Sequence, residues 1–164
     1  MHNFTRTLFL LSLIVSLLVS CEKPDISDDK DLISDLYARS ADTITNGTGA
    51  YFLETFLNRN FMPGAFKNRS LIAVAYLVNT DSLPIVNNFA ITQLYVIKDG
   101  LVWISTPTVS HDPYLPEFKL EYLSNDGPEW ETNIYVDVIV EVYDKITKDL
   151  YLVIAKHQYI ERSD

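Results

Sequence analysis

The stretch TQLYVIKDGLVWIST, from Thr92 to Thr106, decides the fold of this chain. It contains two runs of apolar, β-branched and aromatic residues, which are typical of strands, separated by the pair Asp99-Gly100. A two-residue Asp-Gly loop favours a type I′ turn between antiparallel strands. The stretch therefore predicts a β-hairpin. Its register pairs Lys98 with Leu101, Ile97 with Val102, Val96 with Trp103, and Tyr95 with Ile104.

Both faces of this predicted hairpin are apolar, because residues of both alternating sets are hydrophobic or aromatic. A hairpin of this kind can lie in the middle of a sandwich, where another element covers its second face. It can also carry an exposed aromatic patch. The sequence leaves both interpretations open.

A second strand signal is ETNIYVDVIVEVYD, from Glu131 to Asp144. Ile134 and every second residue to Val142 are apolar, whereas Asp137 and Glu141 lie on the other face. We expect a strand with one buried face and one wetter face. A turn through DKITKD then returns the chain into LYLVIAKHQYIER, so the sequence predicts a long antiparallel hairpin at its end.

The remaining strand-like segments bring the predicted number to about seven, with connections rich in Pro, Asn, Asp and Gly and no helix longer than ten residues. This pattern predicts an all-β antiparallel sandwich over residues 49–164. The run SLIAVAYLVNTDSLPIVNNFAITQLYVI, residues 70–97, resembles bacterial immunoglobulin-like domains, and the resemblance implies an immunoglobulin-like strand arrangement. The further predicted strands are Tyr51 to Leu57, Leu71 to Asn79, Phe89 to Lys98, and Phe118 to Leu123.

Residues 1–20 have the features of a secretory signal: one formal charge, Arg6, followed by the apolar run LFLLSLIVSLLV. Twelve helical residues span roughly 18 Å, which is too short for a bilayer core of about 30 Å. The end of the run, Leu18-Val19-Ser20-Cys21, resembles the lipobox of bacterial lipoproteins. That resemblance implies cleavage before Cys21, a diacylglyceryl group on its thiol and acylation of the new amino terminus, which would anchor the chain in the outer membrane.

Residues 21–48 are interpreted as the lipidated cysteine, an acidic tether and a short helix. The segment EKPDISDDKDLISD is too charged to bury much apolar area. Apolar residues between Asp31 and Arg39 recur at helical spacing after Ser27, a candidate cap. The acidic cluster resembles the surface-export signal of Bacteroidota lipoproteins, so cell-surface display and a periplasm-facing anchor both stay open.

The net charge of the chain limits which partners it can bind. The sequence has 22 acidic and 13 basic side chains, for a net charge of −9. Nucleic acid binding needs concentrated lysine and arginine, and no basic cluster occurs in the sequence. Nucleic acid is therefore excluded as a partner. About 140 residues follow the signal, which is enough for one domain.

Catalytic and metal-binding motifs are not found in the sequence. Ser110, His111 and Asp112 are adjacent, whereas a catalytic triad gathers groups from separate segments, so we predict a turn stabilised by Asp112. His157 is interpreted as a partly exposed sheet residue. We predict no catalytic residue, cofactor or metal site. The alternative is a small envelope hydrolase or protease inhibitor acting through the 105–117 loop.

Aromatic residues are numerous: ten tyrosines, eight phenylalanines and two tryptophans. Trp103, Tyr114 and Trp130 fall outside the regular strand pattern and form the predicted binding surface. Aromatic groups beside carboxylates can hold carbohydrate or an envelope protein. The competing interpretation is that both tryptophans plug the ends of the sandwich. The sequence thus predicts a lipid-anchored, non-catalytic binding or assembly module.

Overall fold

A computed structural model describes residues 23–47, 49–63, 69–85, 88–110 and 112–164. This part of the chain is mostly β and contains one helix, α1 (Lys30–Arg39). The strands are β1 (Asp25–Ser27), β2 (Ser40–Ala41), β3 (Thr43–Asn46), β4 (Gly49–Asn60), β5 (Ile72–Asn79), β6 (Phe89–Lys98), β7 (Leu101–Ser105), β8 (Thr108–Val109), β9 (Lys119–Ser124), β10 (Tyr135–Asp144) and β11 (Leu150–Ser163).

The hairpin of β6 and β7 has the predicted register, from Lys98 opposite Leu101 to Tyr95 opposite Ile104. Both residues of the turn have positive φ, 49° at Asp99 and 80° at Gly100, as a type I′ turn requires. The prediction of this hairpin is confirmed.

The long terminal hairpin is also confirmed, as β10 and β11 pair antiparallel. The carboxylate of Asp144 shapes the turn between them by accepting hydrogen bonds from the backbone N–H groups of Ile146, at 2.7 Å, and Thr147, at 3.3 Å. All seven predicted strands are present. The sequence pattern missed β1, β2, β3 and β8, which have only two to four residues each and therefore carry little periodicity.

The strands form one curled, largely antiparallel sheet, in the order β1-β7-β6-β10-β11-β4-β5-β9-β8. The curl occurs along β11, whose first part pairs with β10 and whose last residues, Ile160 to Ser163, pair parallel with β4. Both halves line one hydrophobic core, which includes Leu57 and Leu77 from one half and Val96 and Val138 from the other. The all-β class predicted from the sequence is confirmed.

Helix α1 covers the second apolar face of the β6–β7 hairpin. Its Leu36 is buried in a separate cluster with residues such as Ile97, Val102 and Ile139. The face of β10 that was expected to be wetter is therefore partly covered, and Ile139 is fully buried. Of the two interpretations left open by the sequence, the covered hairpin is the one observed.

The acidic segment differs in two respects from the predicted tether. Asp25–Ser27 forms β1, an edge strand that pairs with β7, so this part is ordered against the sheet. The helix cap is Asp29, whose Oδ1 accepts from the N–H of Asp31 at 2.9 Å, whereas Ser27 Oγ accepts from the N–H of Asp29.

Strands β2 and β3 also place part of residues 21–48 in the sheet. Among the described residues, no helix is long and apolar enough to cross a membrane.

Candidate binding surface

The three aromatic residues predicted to form a binding surface are not brought together on an exposed surface. Trp103 has no exposed surface and Trp130 is 9% exposed, and both belong to the core between the two halves of the sheet. Tyr114 is 91% exposed, at the tip of a loop. The predicted surface is therefore wrong, because both tryptophans contribute more by filling the core than they would in contact with water.

Two sequence-predicted positions, Cys21 and His111, lie outside the described residues. Asp112 stabilises a turn, as predicted, because its Oδ1 accepts the N–H of Tyr114 at 2.9 Å. Ser110 is held against β9 by its backbone N–H, which donates to the carbonyl of Glu121 at 2.9 Å. Among the described residues, no group of three His, Cys, Asp or Glu side chains is placed to hold a metal ion.

A β-bulge lies near the start of β10, where the pairing with β11 shifts between Val136 and Val138. Two residues of β11, Lys156 and His157, stand opposite the single residue Asp137. His157 has a φ of 59°, which is unusual for a residue other than glycine. Bulges redirect side chains and occur often beside functional sites.

The carboxylate of Asp137 holds this bulge in place. Its Oδ1 accepts the backbone N–H of His157 at 2.7 Å, which replaces a ladder hydrogen bond. Its Oδ2 accepts the hydroxyl of Tyr37 at 2.8 Å, so the same carboxylate also ties α1 to the sheet. Burial, followed by the hydrogen bond to Asp137 and its charge, raises the pKa of Tyr37 to about 12.

The bulge brings together three aromatic side chains, Tyr135, His157 and Tyr159, which we call the aromatic platform. The rings of Tyr135 and His157 are stacked, with centroids 3.9 Å apart and an interplanar angle of 8°. Tyr159 lies directly opposite Tyr135 in the register, and its ring is tilted by 53° at a centroid distance of 5.2 Å. The Tyr159 hydroxyl donates to Asn133 Oδ1 at 2.6 Å.

The aromatic platform is open to solvent, with Tyr135 54% exposed and Tyr159 42% exposed. It borders a shallow groove of about 250 Å³ between α1 and the β6–β7 turn. Single exposed apolar residues are normal, whereas a contiguous group of exposed rings can mark an interaction site. The aromatic platform is thus the surface of the described chain that combines exposed aromatic rings, a fixed carboxylate and a groove.

His157 was predicted to be a partly exposed sheet residue, and it lies in β11 with its side chain exposed. The sequence did not join it to Tyr135 and Tyr159. A signal was present in the alternation of β10, which puts Tyr135 and Asp137 on one face, away from the main core. The missing information was the bulge. In an unbroken register of β10 and β11, Lys156 and His157 would lie opposite other residues of β10.

Two other cavities are lined by groups that already have structural roles. One, of about 240 Å³, lies beside the β10–β11 turn and includes Asp144, whose carboxylate is occupied by the turn. The other, a groove of about 520 Å³ between β7 and β9, includes Ser105, whose hydroxyl donates to Asp126 at 3.0 Å.

Comparison of the chain with models of protein families, with curated proteins and with solved structures finds no match.

Proposed function

We propose that this chain is a lipid-anchored bacterial envelope protein that acts as a non-catalytic binding or assembly module. The observation that carries the binding role is the aromatic platform, because its rings are exposed and held in one arrangement on a domain with an acidic balance of charge. Its ligand class, within the expectation from the sequence, is a carbohydrate or an envelope protein.

The proposed anchor rests on the lipobox-like sequence that ends in Cys21. Several acyl chains hold a protein durably, since each buried methylene contributes about 0.8 kcal/mol. Mass spectrometry of the mature amino terminus tests the anchor. We expect acylated Cys21 as the first residue, and an unmodified Cys21 at the mature amino terminus would contradict the proposal. Location in the outer membrane, facing either the cell surface or the periplasm, is part of the same proposal.

We also propose that the domain is an immunoglobulin-like sandwich. Strands β4 to β11 can be lettered A, B, C, C′, D, E, F and G in chain order. The observed pairing order then becomes A-B-E-D in one half of the sheet and C′-C-F-G in the other. This is the strand order of immunoglobulin domains, so it supports the proposal.

The binding role is tested with the full chain, purified in detergent and incubated with separate envelope fractions: peptidoglycan sacculi, outer-membrane vesicles and extracted polysaccharide. We expect at least one fraction to retain the protein. The double variant Tyr135→Ala/Tyr159→Ala should lose this retention, because it removes the exposed rings while leaving the core intact. Far-ultraviolet circular dichroism checks that the variant is folded.

The matched control is Tyr114→Ala, which removes another exposed tyrosine on a separate loop. We expect this variant to be retained like the wild type. Equal retention of the wild type and the double variant would overturn the assignment of binding to the aromatic platform.

A further inference from the structure

We infer that the aromatic platform binds a neutral glycan by stacking a pyranose ring on Tyr135 and Tyr159. This inference rests on the proposed function and names the ligand class of the same site. One face of a pyranose ring carries C–H groups and packs on aromatic carbon, while its hydroxyls point sideways to polar groups. The aromatic platform offers both kinds of surface.

The ring surface is suited to a single sugar residue. His157 covers one face of Tyr135, yet Tyr135 is still 54% exposed, so most of its remaining surface meets solvent. The tilted ring of Tyr159 continues this surface at a centroid distance of 5.2 Å. The two rings therefore form a bent apolar shelf beside the groove, and not a flat patch extensive enough for a protein interface of standard size.

Hydrogen-bonding groups flank the shelf at fixed positions. The carboxylate of Asp137 accepts two hydrogen bonds, from Tyr37 and His157, out of about four lone-pair positions. Asn133 accepts the Tyr159 hydroxyl through Oδ1. A carboxylate and an amide in these places can accept from and donate to sugar hydroxyls, which gives the site direction as well as apolar contact.

The site is rigid before a ligand arrives. The stacked His157 restrains Tyr135, Asn133 restrains the Tyr159 hydroxyl, and Asp137 fixes the bulge that carries His157. Side chains that are already ordered lose little conformational entropy on binding. The low entropy cost of binding at such a site suits a sugar, because a sugar makes few strong contacts.

Charge and ring arrangement separate a neutral glycan from other ligands. Asp137 and Asp99 both line the groove beside the shelf, in a chain of net charge −9. Lys98 lines it too, but its ammonium is already paired with Asp99 and Glu131, so this surface repels uronic acids and other acidic sugars. A quaternary ammonium ligand needs several ring faces around one cation, whereas His157 occupies one face of Tyr135. We therefore expect neutral sugars to bind in preference to both.

The test titrates the full chain in detergent with soluble neutral oligosaccharides of glucose, mannose and N-acetylglucosamine units, followed by calorimetry and by the NMR signals of the His157 ring. Uronic acid oligosaccharides and choline are titrated in parallel. We expect at least one neutral oligosaccharide to bind and to shift the His157 signals. Tyr135→Ala should weaken that binding by about ten-fold or more, since a buried aromatic contact is lost.

A matched pair of variants separates ring stacking from general apolar contact. Tyr135→Phe keeps the ring and should retain the affinity, whereas Tyr135→Leu should lose it, and Tyr114→Ala should change nothing. Absence of binding to every neutral sugar, tighter binding of choline or uronic acids, or unchanged affinity in Tyr135→Leu would each overturn the inference. If envelope retention still depends on Tyr135 when no sugar binds, the glycan inference fails while the proposed function stands.

Discussion

At the scale of single residues, Tyr37 connects helix α1 to the carboxylate that fixes the bulge. Its pKa of about 12 lies above the ordinary value near 10, because burial and Asp137 disfavour the tyrosinate. The stabilising effect of this side chain is therefore complete below about pH 10 and is lost as the pH rises through about 12. We expect the free energy of unfolding to fall more steeply across this range in the wild type than in Tyr37→Phe.

The measurement combines chemical denaturation at several alkaline pH values with a tyrosinate absorbance titration. Subtracting the titration curve of Tyr37→Phe from that of the wild type isolates this one group. A difference curve with its midpoint near the ordinary tyrosine value would contradict the proposed role of Asp137.

Gly127 lies where the chain crosses the core, and it is a residue for which no larger side chain fits. A Cβ atom here would lie 2.6 Å from the carbonyl oxygen of Leu71 and 2.8 Å from Cη2 of Trp103. Gly127→Ala should lower the free energy of unfolding by about 1–3 kcal/mol, because the core is overpacked. Denaturant titration measures this change.

The control for Gly127→Ala is Gly47→Ala, since a Cβ at Gly47 meets no atom within 4 Å. We expect this control to stay within about 0.5 kcal/mol of the wild type. A similar fall in the free energy of unfolding in both variants would show that close packing at Gly127 does not cause the destabilisation.

At the scale of elements, the helix and the aromatic platform are connected through the carboxylate of Asp137, which accepts hydrogen bonds from Tyr37 and His157. Leu36 is 3% exposed and packs on the apolar face of the β6–β7 hairpin, with Ile97 and Val102. Leu36→Ala should lower the free energy of unfolding by about 2–4 kcal/mol. It should also speed hydrogen exchange at the His157 N–H, because a loosened helix no longer holds Tyr37 against Asp137.

Hydrogen exchange followed by NMR checks this coupling, with Ser34→Ala on the exposed side of the helix as control. The control should leave the exchange at His157 unchanged. Unchanged exchange in Leu36→Ala would mean that the helix and the bulge are independent.

The β6–β7 hairpin, α1 and the bulge differ in how well the sequence predicts them. The β6–β7 register followed from Asp99-Gly100 and the alternation around it, both of which are local signals. The position of α1 was not predictable, because few apolar residues mark its inner face and the surface that it covers is distant in the sequence. The aromatic platform needed the bulge opposite Asp137, whose carboxylate accepts from the His157 N–H and also from the hydroxyl of Tyr37, one hundred positions earlier. Trp103 was wrongly predicted to lie on an exposed surface. The alternation of a strand does not distinguish an aromatic residue that fills the core from one that lies at the surface.

At the scale of the whole molecule, the pairing of β1 determines how an anchored domain would be oriented. β1 runs antiparallel to β7, with Asp25 opposite Ile104 and Ser27 opposite Val102. The chain before Asp25 therefore leads away from the Asp99-Gly100 turn. If Cys21 carries lipid, only three residues, 22–24, separate it from β1, and the four Cα–Cα steps from Cys21 to Asp25 reach at most about 14 Å.

This geometry predicts which end of the domain faces the bilayer. Phe89, at the start of β6, pairs with Asp144, so the β10–β11 turn and the Asp99-Gly100 turn lie at opposite ends of this half of the sheet. The β10–β11 turn should lie near the membrane. The aromatic platform, at the Tyr135 end of β10, should lie away from it, where a glycan outside the bilayer can reach the rings.

Cysteine labelling tests the orientation, because the thiol of Cys21 would be acylated and the chain has no other cysteine. Ile146→Cys and Leu101→Cys place labels on exposed apolar positions next to the two turns. With the lipidated protein in vesicles that contain a lipid-bound fluorescence quencher, we expect stronger quenching of the label at position 146 than at position 101. Inserting ten Gly and Ser residues before Asp25 should reduce this difference, since a longer flexible linker lets the domain move and turn away from the bilayer. Equal quenching at both positions in the original chain would mean that β1 does not hold the domain in a fixed orientation.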